Sequence, residues 1–353
     1  MNKLSKLRNI LAQHDCDAIM ISSPINRRYI TNFTGSAGIA IISQTDARFI
    51  TDFRYVEQAT NQATEFKIVE HKQKIELEVK EQLKEMKVKR LGFEKDHITY
   101  SQYETFQQLF DAALIPLSGI VEELRLIKTE EEIEILKEAA KIVDDAFQHI
   151  LSYIKPGTKE IEIANELEFF MRRNGATSSS FDTIVASGVR SALPHGVASE
   201  KEIQSGELVT LDYGALYKGY CSDITRTVAV GELSKELEEI YHIVLEANKR
   251  GVEKIGPGMT GKEADAITRD YIASKGYGEN FGHSTGHGIG LEVHEGPRLS
   301  KLADELLQPG MVVTVEPGIY IAGKGGCRIE DDIIITSTGN ERITFATKEL
   351  IHV

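Results

Sequence analysis

The chain has 353 residues, 41% of them hydrophobic and 27% charged, and a formal net charge of −13 at pH 7. That is the make-up of an ordinary soluble protein with enough core for two or three domains, and the charge argues against nucleic acid or an anionic membrane as the main partner. No apolar run approaches the ~18 residues of a spanning helix, and the first residues lack the unbroken core of a signal peptide, so a cytoplasmic protein is expected.

Residues 1–124 read as short strands (18–21, 38–42, 48–51, 66–69, 90–93) alternating with helical runs such as 4–13, 74–85 and 101–110, which predicts a small α/β domain. Cys16, Cys221 and Cys327 are widely spaced and odd in number, which suits neither a disulfide framework nor a thiolate zinc site. Thr129 followed by Glu132 forms a capping box for a long helix reaching about residue 153. The boundary is drawn there, and residues 125–353 form a second, α+β domain.

Residues 209–230 are two β-rich runs around a Gly-containing turn, a hairpin pattern with one aspartate in each run, Asp212 and Asp223. A turn at Tyr217 and Lys218 makes the two carboxylates direct cross-strand neighbours; a turn at Lys218 and Gly219 makes them diagonal. Like charges so placed are unfavourable, and the apolar residues around them, Val209, Leu211, Ile224 and Val228, suggest burial. A cation between them is the expected answer.

Residues 281–298 carry His283, His287 and His294 among many glycines. The first two have the spacing of a helical metal pair, but the glycines disfavour a helix and point to a backbone bending closely around something. The stretch matches neither the HExxH zinc signature nor a dinucleotide-binding glycine turn. Residues 308–336 then repeat the earlier hairpin. Aligning 204–212 with 308–316 puts Asp212 on Glu316, and Asp223 answers to Glu330. Each hairpin follows a Pro-Gly-led helix, at Pro156 and Pro257, and each is preceded by a histidine, His195 or His294. We read an internal duplication of roughly one hundred residues, two halves facing each other with a carboxylate pair apiece.

Four carboxylates and an imidazole are a hard, oxygen-rich donor set whose charge two divalent ions would offset. Two metals at ~3.5–4 Å suit hydrolysis, and the further histidines fit as proton carriers and oxyanion donors.

From about residue 125 onward, these features resemble the pita-bread metallopeptidases, the group of methionine aminopeptidase, aminopeptidase P and prolidase. Thr31-Asn-Phe-Thr-Gly-Ser and Thr51-Asp-Phe-Arg-Tyr resemble the creatinase-type N-terminal domain. The resemblance implies an α/β N-terminal domain followed by an α+β pita-bread domain with an internal pseudo-twofold repeat. It implies Asp212, Asp223, His287, Glu316 and Glu330 as metal ligands, with Asp223 and Glu330 bridging. His195, His283 and His294 match the family's catalytic histidines, Arg328 the arginine beside the last ligand, and Glu316 doubles as proton acceptor.

The N-terminal domain argues against methionine aminopeptidase, and the intact ligands against creatinase and a non-catalytic binding protein. Proline peptidases remain. The stretch 293–298 looks more like prolidases, in which an arginine, here Arg298, holds the dipeptide's carboxylate; aminopeptidase P, acting on longer Xaa-Pro peptides, is the alternative. Two Mn²⁺ are expected, Co²⁺ and Zn²⁺ being compatible, in a homodimer acting on proline-containing dipeptides or short peptides.

Overall fold

Two units, Met1–Arg125 and Leu126–Val353, make up the computed structural model, which describes residues 2–353. In the first unit a six-stranded sheet runs in the order Lys67–Glu70, Ala47–Thr51, Ile39–Ser43, Ala18–Ile21, Arg90–Glu94, Ala113–Leu117. Met20, Ile41, Ile50 and Leu91 from the sheet pack with Val79 and Leu83 of the helix Ile75–Glu85 and Phe106 of the helix Tyr100–Leu109. The expected strands are present within a residue or so. The edge strand Ala113–Leu117 was not foreseen: only Leu117 is buried and Pro116 interrupts it, so it carries little hydrophobic signal. The helix Pro24–Thr31 was missed as well, its polar Asn-Arg-Arg centre hiding a start marked by Ser23 as N-cap and Pro24 at the first position.

The second unit is built twice over. The helices Glu130–Ile150 and Glu160–Arg173 precede a three-stranded sheet ordered Ile224–Val230, Glu207–Tyr213, Ile184–Ser187. The helices Lys235–Lys254 and Gly261–Ser274 precede a five-stranded sheet ordered Glu295–Leu299, Gly286–Gly288, Val312–Val315, Asp331–Ile335, Asn340–Arg342. The capping box at Thr129 is formed, its hydroxyl accepting from the Glu132 amide while the Glu132 carboxylate accepts from the Thr129 amide. Thr260 and Glu263 form another at the start of the fourth helix.

Strand alternation decides what faces the middle. Val209, Leu211, Tyr213, Ile224 and Val228 pack with Val143, Phe147, Leu167 and Met171 of the first helix pair. Their neighbours in sequence, Thr210, Asp212, Thr225 and Thr227, therefore point to the opposite face. In the second half Val313, Val315, Ile333 and Ile335 pack with Ile255 and Ala264, which sends Thr314, Glu316, Glu330 and Asp332 the other way. The polar faces of the two sheets meet, and the carboxylates lie between them. Among the described residues, no helix is long and apolar enough to cross a membrane.

Candidate active site

The first hairpin turns at Lys218 and Gly219, whose φ angles of 48° and 88° are those of a type I′ turn. Asp212 therefore pairs with Thr225, and Asp223 sits diagonally from it; the alternative turn, with the two aspartates directly opposed, is not adopted. In the second hairpin the ladder is interrupted between the pairs Val315 with Asp331 and Gly318 with Arg328. Glu316 and Glu330 stand in that interruption, free of ladder pairing and turned to the interior.

Asp212, Asp223, Glu316, Glu330 and His287 line one cleft of ≈ 310 Å³, together with His195, His283, His294, Arg328, Phe181, Asp182, Ile184, Pro194, Val197 and Val293. Ligand atoms of Asp223, His287 and Glu330 all lie within 4.8 Å of one another, and all three residues are buried. The sequence had brought ten residues to this centre; nine of them line the cleft. The tenth, Arg298, is exposed on the strand Glu295–Leu299, opposite His287 in the ladder. Its charge is near enough to help lower the pKa of His287 and His294, after burial.

The donors these carboxylates receive are too few. Glu330 Oε2 accepts from Thr225 Oγ1 at 2.6 Å, and Asp212 Oδ2 is paired with Arg328. Yet Asp212 Oδ1, Asp223 Oδ1 and Glu330 Oε1 are buried with no hydrogen-bond partner, an arrangement that costs roughly 1–3 kcal/mol per group, more when it is charged. The imidazole of His287 does not help. Its Nδ1 lies 3.1 Å from the Gly288 carbonyl, which can only accept, so Nδ1 carries the proton. Burial, and then His294, push its pKa down to about 4, so Nε2 presents a lone pair 3.4 Å from Glu316 Oε1 and 3.9 Å from Asp223 Oδ2. Acceptors face acceptors, and only protons or cations resolve that. Without metal, protons do: burial and neighbouring carboxylates raise Asp223 and Glu330 well above the usual range, and burial with the Asp212 charge carries Glu316 up to about 8. The donor set, with its orphaned oxygens and a neutral imidazole oriented by a backbone carbonyl, fits divalent metal.

Around this set the histidines differ. His283 is held on both nitrogens: Nδ1 donates to the Ser284 carbonyl at 2.8 Å, and Nε2 accepts from the Tyr320 hydroxyl at 2.8 Å. Tyr320 in turn accepts from Arg328 Nη1 at 2.8 Å, so an unbroken chain runs from Asp212 through Arg328 and Tyr320 to His283. His294 is exposed, its ring edge-on to His287 with centroids 4.2 Å apart. His195 is exposed on the loop 187–199.

Tyr320, Thr225 and Asp332 were not picked out from the sequence. The signal was in the spacing: Thr225, Asp332 and Tyr320 lie two, two and four residues along the chain from Asp223, Glu330 and Glu316, the even spacing that extended chain returns to one face. Asp332 is buried, accepts from the Asp223 amide at 3.2 Å through Oδ2 and leaves Oδ1 without a partner.

Residues 134–337 match the model of metallopeptidase family M24, and residues 3–127 that of the creatinase/prolidase N-terminal domain. A Xaa-Pro dipeptidase of Pyrococcus furiosus is 43% identical, with 99% of each chain covered. The structure of a Xaa-Pro dipeptidase from Bacillus anthracis superposes with a TM-score of 0.98 at 63% identity, covering 99% of both chains. That of an X-Pro aminopeptidase from Thermotoga maritima gives 0.92 at 41% identity, covering 98% of this chain and 100% of the other.

Proposed function

Because the chain belongs to metallopeptidase family M24 and carries a creatinase/prolidase N-terminal domain, we propose that it is a Xaa-Pro dipeptidase, cleaving the bond before proline in dipeptides. The observation that carries this reading is the trio of buried, unpartnered oxygens on Asp212, Asp223 and Glu330, in the cleft that His287 also lines. Full-length likeness to dipeptidases supplies the substrate.

Asp212, Asp223, His287, Glu316 and Glu330 would hold two divalent ions, Asp223 and Glu330 being shared. Mn²⁺ is the ion we expect, and Co²⁺ or Zn²⁺ suits the same donors. When bound, the ions supply Lewis acidity, making water acidic enough to attack at neutral pH and polarising the scissile carbonyl. Glu316 takes the proton of the attacking water. His294, open to the cleft and with its pKa lowered by partial desolvation and by Arg298, donates to the carbonyl oxygen as charge develops there. His195 serves the departing proline nitrogen, a secondary amine that must gain a proton to leave. His283 is held by Tyr320 and passes its influence along the chain to Arg328 rather than through a free nitrogen.

Arg298 reads substrate length in this scheme. A dipeptide places its free carboxylate one residue beyond the scissile bond, where a longer peptide has an amide. A charge-assisted contact contributes about 1.5–3 kcal/mol, so Arg298→Ala is expected to lower kcat/KM for Xaa-Pro roughly tenfold or more while changing Xaa-Pro-Yaa little. Equal losses on both substrates would remove Arg298 from this role. The likeness to an X-Pro aminopeptidase supports a second reading, in which longer Xaa-Pro peptides are the better substrates of the unmutated enzyme.

A further inference from the structure

His195 hangs from a loop whose shape is set elsewhere. Among the described residues its ring has no hydrogen-bond partner, and it is exposed to the cleft. Its position therefore depends on the backbone of residues 187–199. At the base of that loop lies Glu160, the first residue of the helix Glu160–Arg173, with its side chain 0% exposed. One of its oxygens accepts from the Ser187 amide at 2.8 Å and the Ser187 hydroxyl at 2.9 Å, where the loop begins. The other accepts from the Ser199 amide at 3.2 Å and the Ser199 hydroxyl at 2.6 Å, where it ends. Arg190, inside the loop, is paired with the same oxygen through Nη1 and donates through Nη2 to the Val197 carbonyl at 2.8 Å. Only Gly196 separates Val197 from His195.

The second half has a counterpart. Asp265, buried in the fourth helix, is paired with Arg269 at 2.6 Å and accepts from the Thr285 amide at 2.9 Å. Arg269 donates to the carbonyls of Phe281 and His283 at 3.0 and 2.7 Å. In both halves, then, a buried carboxylate and an arginine fasten the segment that bears a histidine of the cleft.

We propose that Glu160 and Arg190 are positioning residues for His195: the pair of the buried Glu160 with the half-buried Arg190, clasping both ends of the 187–199 loop and the Val197 carbonyl, holds an otherwise unsupported imidazole at the reacting bond. The proposal rests on His195 being a catalytic group. A bond network of this kind places the ring without touching substrate, so its loss costs turnover rather than affinity.

The test is a cycle of Arg190→Lys, His195→Ala and the double variant, as Mn²⁺-loaded full chains with a Xaa-Pro substrate. Lysine keeps the charge but cannot reach Glu160 and Val197 together as a forked guanidinium does. Arg190→Lys is expected to lower kcat about tenfold or more, since displacements near 1 Å can cost about a hundredfold. KM should stay within about twofold, and two equivalents of metal should be retained. On the His195→Ala background the same substitution should change kcat less than about twofold, because the group it positions is gone. An equal loss on both backgrounds, or unchanged kcat in Arg190→Lys, overturns the proposal. Unchanged kcat in His195→Ala overturns the catalytic reading of that histidine instead, and the positioning role with it. If Arg190→Lys does not fold, Ser199→Ala, which removes one donor from the same carboxylate, enters the cycle in its place with the same expected pattern.

Discussion

At the scale of single residues, the site is governed by what each carboxylate lacks. Asp223 and Glu330 each bury an oxygen with no donor in reach, so removing either should remove metal along with activity. Elemental analysis of Asp223→Ala and Glu330→Ala is expected to find fewer than two equivalents per chain; two full equivalents in either would take that residue out of the ligand set. Tyr320 makes a different case. Its hydroxyl joins Arg328 to His283 and no orphaned oxygen depends on it, so Tyr320→Phe should keep both metals and lose turnover by roughly tenfold, the scale of one hydrogen bond to a charged group. Metal loss in that variant would place Tyr320 in the ligand-holding framework instead.

At the scale of elements, the two hairpins are tied together by a side chain. Arg226 is one of the largest fully buried side chains. From the strand Ile224–Val230 it reaches Asp331 Oδ1 at 2.7 Å and the Ala346 carbonyl at 2.9 Å, and it also donates to the carbonyl of Glu330. Breaking a buried pair by deleting one partner costs about 3–5 kcal/mol, so Arg226→Met should lower the unfolding free energy by about that much, read as a lower denaturation midpoint with little change in the denaturant slope. A loss below about 1 kcal/mol, as expected of a surface pair, would show that the strap is not needed. This strap was not legible in the sequence, since nothing local distinguishes Arg226 from a solvated arginine on an exposed strand. The carboxylates were legible because their apolar neighbours alternate with them and the pattern recurs about a hundred residues on. The turn register was legible only as two options, and the positive φ of both Lys218 and Gly219 decided between them. Arg298 could be proposed from its neighbourhood, but whether its side chain would line the cleft depended on the strand's exposure.

At the scale of the molecule, the metal centre couples to stability. In the metal-free protein Asp223, Glu316 and Glu330 hold protons more tightly than ordinary carboxylates, through burial first and then through each other and Asp212. Above the ordinary histidine range, where His283, His287 and His294 are neutral folded or unfolded and no longer offset them, the folded state binds more protons than the unfolded one, so stability falls as pH rises from about 6.5 through about 8, where Glu316 titrates. The Tm of EDTA-treated protein should therefore decline across that window, and two equivalents of Mn²⁺ should restore it at the alkaline end. A Tm that rises with pH in the stripped protein would contradict this. The central claim is that this centre performs metal-dependent Xaa-Pro hydrolysis, and one measurement addresses it most directly: turnover of a Xaa-Pro dipeptide by stripped enzyme titrated with Mn²⁺. Activity should rise from near zero to a plateau at two equivalents per chain, whereas full turnover in the stripped enzyme, or none at two equivalents, would contradict the account.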